Sequence, residues 1–146
     1  MFGELYHNRV LELAADIPHA ERLPGPQGSS LKVSRVCGST VVVDVNLDSE
    51  GRIAEIGVEP HACALGQAAT SILARHAVGR SLGEIETARD ALRAMLKEGA
   101  EPPQGEFWEL RHLQPVRDYP PRHTSTMLAF EAAAEAMKEA LAKKSA

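Results

Sequence analysis

Hydrophobic and polar residues alternate most clearly from Ser39 to Leu47. Val41, Val43, Val45 and Leu47 fall on one side of an extended chain, and Thr40, Val42, Asp44 and Asn46 on the other. Leu31–Val36 alternates in the same way. Asp48-Ser-Glu-Gly51 is a four-residue turn with glycine last, and Arg52–Val58 reads as the returning strand, so the pattern predicts an antiparallel hairpin with a third strand before it. With one face of these strands strongly apolar, helices are expected to pack on it.

Elsewhere the period changes to that of a helix. Glu4–Ile17 places Leu5, Val10, Leu11, Ala14 and Ala15 on one stripe and ends at Pro18. After Pro60, Leu65, Ala69, Ile72, Leu73 and His76 recur at helical spacing, with Gly79 as the stop. Ser81-Leu-Gly-Glu84 has the form of a capping box and opens a helix that buries Ile85, Ala88, Leu92 and Met95. Phe107–Leu113 predicts a short apolar-aromatic helix ended by Pro115, and Tyr119-Pro-Pro-Arg-His123 an extended approach to the last helix. There Met127, Phe130, Ala134, Met137 and Leu141 form the buried stripe, Glu131, Glu135 and Lys138 the solvated face, and the tail from Lys143 frays.

The order of one helix, three strands, then helices only predicts an α+β fold: a three-stranded antiparallel sheet packed on one face by helices, with an N-terminal helix. A single domain over residues 1–146 is expected, divided into an N-terminal helical arm (1–22), a Pro/Gly/Ser-rich loop (23–30) and a core (31–142).

Composition narrows the function. The 146 residues are 44% hydrophobic, enough for a real core, and 16 basic against 20 acidic residues give a net charge of −4. No basic patch stands out, which argues against nucleic acid and against an anionic membrane surface as partners. No apolar run approaches the length of a membrane span, and Met1–Leu13 lacks the basic and apolar regions of a signal peptide. A cytoplasmic protein is expected.

The chemistry-bearing residues are Cys37, in V-C-G-S-T, and Cys63, in H-A-C-A-L-G-Q-A, each where strand-like sequence meets a turn. A free cysteine is often a small buried hydrophobe. Thiolates are also soft ligands for iron, copper and zinc, and two of them leave a closed site incomplete. Histidine, oxygen, solvent or a partner would supply the rest. Among six histidines, His61 and His123 are the candidates, each in a Pro-flanked connection before a helix; His7, His19, His76 and His112 read as ordinary solvated or core-edge imidazoles. No C-x-x-C, G-x-S-x-G, P-loop or G-x-G-x-x-G is present.

V-C-G-S-T followed by two strands, then A-C-A-L-G-Q-A-A-T-S opening a helix, then V-G-R-S-L-G-E, resembles the NifU N-terminal-type (IscU/SufU-like) scaffolds of iron–sulfur cluster assembly. E-L-Y-H-N-R-V-L-E-L is similar to that family's first helix, and P-P-R-H-T-S-T-M-L-A-F-E-A to its last segment. The resemblance implies an α+β fold with three cysteines and an acidic residue at one end. There a transient cluster is built from iron and from sulfur delivered by a cysteine desulfurase, then passed to acceptor apo-proteins; zinc occupies the same site in some members. Carried over, Cys37 and Cys63 match the first two cysteines, Ser39 stands at the acidic position, Ser125 at the third cysteine, and Arg122 at a basic residue before it.

Three readings follow. The leading one is a non-enzymatic scaffold holding iron, zinc or a cluster through Cys37 and Cys63, with His123 or His61 at a third position, solvent or a partner at the fourth, hydroxyls at Ser39 and Ser125, and whichever thiolate lies near Arg122 lowered in pKa by it. The second is a degenerate scaffold that docks on a desulfurase or client and regulates it. The third is an enzyme with Cys37 as nucleophile and His123 as base.

Overall fold

The computed structural model of the chain describes residues 5–145, and its sheet is centred on β2 (Thr40–Leu47). β1 (Gly28–Val33) and β3 (Ile53–His61) pair with β2 on either side, both antiparallel to it. Val41, Val43, Val45 and Leu47 are buried on the helix-covered face, as their alternation predicts. Asp48 Oδ1 accepts from the N–H groups of Glu50 (2.8 Å) and Arg52 (3.0 Å), closing the β2–β3 turn.

β1 begins three residues before the predicted Leu31. Its register sets Gly28, Ser30 and Lys32 opposite Val45, Val43 and Val41, so its polar residues face the helices while Leu31 and Val33 lie exposed on the outer face. This inversion is possible because a Cβ at Gly28 would collide with the Ala136 carbonyl of the last helix: only glycine permits the approach. Lys32 pairs with Glu135 on that helix. β3 in turn extends beyond the predicted Val58, through Pro60 and His61, which pair with Val41 and Thr40. Proline is tolerated there because β3 is an edge strand.

α1 spans Asn8–Ala15, shorter than predicted; Glu4 lies outside the described residues. His7 caps it, Nδ1 accepting from Val10 N–H (3.4 Å) while Nε2 donates to the His112 carbonyl (3.0 Å). Leu5, Val10 and Leu13 are buried, whereas Leu11 and Ala15 are exposed: the break at His7 shifts the phase of the buried stripe. The segment after Pro18 then crosses the outer face of the sheet. His19 O accepts from Val58 N–H (2.9 Å), and buried Asp44 accepts from Arg22 Nε (2.7 Å), Leu23 N–H (3.0 Å) and Ser29 Oγ (2.6 Å).

α2 (Ala64–His76) and α3 (Leu82–Lys97) follow, the latter opened by the predicted capping box of Ser81 and Glu84. In place of one short helix, 3-10 turns run from Gly105 to Asp118, passing through Pro115, with a further turn at Pro120–Arg122. The expected extended approach is therefore replaced by helical turns, with Tyr119 (φ −129°, ψ 71°) as the break between them. α4 (His123–Ser145) is the central helix, packed on β1, β2, α2 and α3, and its helical structure persists through the tail expected to fray. Glu109, in the 3-10 segment, holds Arg9 of α1 (2.7 Å) and His76 of α2 (2.8 Å). Among the described residues, no helix is long and apolar enough to cross a membrane.

Candidate metal centre

The β1–β2 connection is a tight loop, with Ser34 N–H donating to Ser39 O and Gly38 N–H to Ser34 O, both at 2.8 Å. Gly38, at φ +74°, supplies the left-handed conformation that turns the chain. The loop lifts Cys37 into solvent while burying Ser34 and Ser39 beneath it. Cys37 Sγ lies 3.5 Å from Ser34 Oγ and 3.1 Å from Ser39 Oγ.

Cys63 arrives from the other side, two residues beyond the end of β3. It is the N-cap residue of α2, and its thiol, half-buried, makes no capping hydrogen bond. Instead Sγ lies 3.7 Å from Oγ of Ser125, which is buried in the first turn of α4. Ser125 also donates to the Arg122 carbonyl (3.2 Å), and its hydroxyl lies near enough to Cys37 to favour that thiolate. What brings α4 so close is Gly66: a Cβ there would stand 2.8 Å from Ala62 Cβ and 3.1 Å from the Ser125 carbonyl. Two thiols and three serine hydroxyls thus meet where the β2–β3 ladder ends and α2 and α4 begin.

Electrostatics favour an ionised Cys37, whose pKa falls from an ordinary 9.0 to about 7. The Ser34 hydroxyl is the largest cause and Ser39 the next; burial opposes them, and the Ser39 backbone and Ser125 add to the lowering. Hydroxyls supply the effect that the sequence assigned to Arg122. Ser34 was missed altogether, although a serine three positions before the cysteine, in S-R-V-C, is placed to close such a turn and reach the thiol.

The histidines are placed differently. His123 is 5% exposed, with Nε2 3.0 Å from the Val116 carbonyl and 3.2 Å from that of Arg117. His61 ends β3 with a side chain 73% exposed, 4.0 Å from Glu59. Among the described residues, no three of His, Cys, Asp and Glu are grouped to hold a metal ion, so neither imidazole joins the cysteines at a third position. The sulfurs' hydrogen-bond partners are serines, which leaves the Cys37–His123 nucleophile pair without its geometry. The arrangement offers two soft sulfur donors, weak oxygen donors beside them, and an open side where sulfide, solvent or a partner could complete the coordination.

No family model matches the chain. The "Iron-sulfur cluster assembly scaffold protein IscU" of Streptococcus pyogenes serotype M1 is 27% identical over 136 residues, 93% of this chain and 84% of that protein. The crystal structure of a nitrogen-fixing NifU-like protein (N-terminal) from Brucella abortus superposes with a TM-score of 0.93 at 37% identity, over 97% of this chain and 98% of that one. A Fervidobacterium islandicum protein, described as a candidate iron–sulfur cluster assembly scaffold for the SUF system, shares the fold with a TM-score of 0.83 at 18% identity, over 92% and 98% of the two chains.

Proposed function

Because the chain belongs to the IscU/NifU-type family of iron–sulfur cluster assembly scaffolds, we propose that it receives its cargo, a transient iron–sulfur cluster or its iron, at Cys37 and Cys63. The observation that carries this reading is the convergence of both thiols on one open site, with Ser125 beside Cys63 and Cys37 poised to ionise near neutral pH. Ser39 and Ser125 line the cargo site without ligating strongly, since hydroxyl oxygen is a poor donor to soft metals. Sulfide and an external ligand complete the coordination, and zinc competes for the same pair of thiolates.

Sulfur comes from a cysteine desulfurase and the cargo leaves to acceptor apo-proteins; the chain itself turns over no substrate. Two free cysteines suit a reducing compartment such as the cytoplasm. One observation favours a second reading. With hydroxyls at 39 and 125, the chain could have kept the fold as a docking module that regulates a desulfurase or client. Metal content separates the two. Cys37→Ser and Cys63→Ser each lose bound metal with the circular dichroism of the parent; unchanged metal in either variant refutes the ligand assignment.

A further inference from the structure

We propose that Cys37 and Cys63 are a redox pair, joined by a peroxide into an intramolecular disulfide that closes the site to cargo. The closing consequence rests on the function proposed above; the disulfide itself does not.

Three observations support the pairing. The β2–β3 ladder ends at Thr40 opposite His61, and continued outward the same register sets Gly38 against Cys63, one position from Cys37. Both sulfurs lie on the Ser125 side of the site: Cys63 Sγ is 3.7 Å from that hydroxyl, and the same hydroxyl lies near enough to Cys37 to favour its thiolate. Cys37 is also exposed, on a loop turned by Gly38 at φ +74°, so an oxidant reaches its sulfur. Since the chain has two cysteines, any internal S–S bond is this one.

The chemistry balances with peroxide as the oxidant. Cys37 sulfur attacks the O–O bond and takes one oxygen as sulfenic acid, the other leaving as water. Cys63 sulfur then attacks the Cys37 sulfur; the S–S bond forms as S–O breaks, and the hydroxyl departs as a second water with the Cys63 proton. Both thiols are oxidised, and the peroxide is reduced to two waters. Reduction by an external dithiol restores the pair.

The test uses the reduced, metal-free chain, treated with hydrogen peroxide and mapped by non-reducing peptide mass spectrometry. The expected product is a monomer with a Cys37–Cys63 cross-linked peptide, both thiols lost together and regained with dithiothreitol. In Cys63→Ser the reaction stops at a Cys37 sulfenic acid that dimedone captures. Cys37 over-oxidised to sulfinic acid with Cys63 still free, or disulfides only between chains, overturns the proposal. A separate arm offers iron and sulfide to both forms. Loading by the reduced form that is abolished in the oxidised form completes the case, and equal loading of both refutes the closure. Failure of the reduced form to load counts against the scaffold function alone, because the oxidation products are read without cargo.

Discussion

Removing the hydroxyls under Cys37 should change its reactivity in a way that a merely structural role would not. At a pKa of about 7, half of Cys37 is thiolate at pH 7, against about 1% at the ordinary 9.0. Ionisation therefore favours the native site about 50-fold. A thiolate of lower pKa is also a weaker nucleophile, by about tenfold over two pH units at a Brønsted slope near 0.4–0.5. The net advantage at pH 7 is roughly fivefold. In Ser34→Ala/Ser39→Ala both hydroxyls vanish, while the loop's own bonds, Ser34 N–H to Ser39 O and Gly38 N–H to Ser34 O, remain. Alkylation of Cys37 by iodoacetamide, followed at that peptide alone by mass spectrometry across pH, should then slow roughly fivefold at pH 7. Its midpoint should move from about 7 toward 9.0, and its high-pH plateau should rise. A variant with an unmoved midpoint and unmoved plateau would refute the hydroxyl account.

Asp44→Ala should cost about 2–3 kcal/mol in urea unfolding: it strands the Leu23 N–H and Ser29 hydroxyl, while half-exposed Arg22 recovers water and softens the loss. Burial opposes ionisation of Asp44, but its hydrogen bonds hold the pKa below the usual carboxylate range. Its stabilisation is therefore full above about pH 4 and fades as pH falls through the depressed value, so the wild type and Asp44→Ala should converge in stability in acid, and a constant gap would contradict this. Gly28→Ala forces β1 away from the Ala136 carbonyl and should destabilise by about 1–3 kcal/mol, visible as a lower melting temperature; an unchanged one would refute the close-approach argument. Restoring soft and acidic donors with Ser39→Asp/Ser125→Cys should raise cluster yield on reconstitution, and an unchanged yield would place the limit beyond these side chains.

Elements whose signal was local were legible in the chain. The Val41/Val43/Val45/Leu47 alternation located β2 and its buried face, and Ser81 with Glu84 located the start of α3. β1 was misplaced because its inward positions follow from contacts more than a hundred residues away, Gly28 against Ala136 and Lys32 against Glu135 of the last helix. Burial of Asp44 was hidden for the same reason: its cover is Arg22 and Leu23, in a stretch that reads as approach and loop. Of the site, the two cysteines and their serine neighbours at 39 and 125 could be named from motifs, and the structure sets Cys37 against Ser39 and Cys63 against Ser125. His123 could not be judged by spacing, since its ring orientation depends on the Val116 and Arg117 carbonyls that the 3-10 segment presents.

The most direct test of the account is anaerobic reconstitution of the reduced chain with ferrous iron and sulfide, read by visible absorbance together with iron and acid-labile sulfide per chain. The account predicts a coloured protein with stoichiometric iron and sulfide, and a colourless one in Cys37→Ser. A wild-type chain that takes up neither iron nor sulfide would contradict it and leave the docking module as the reading to pursue.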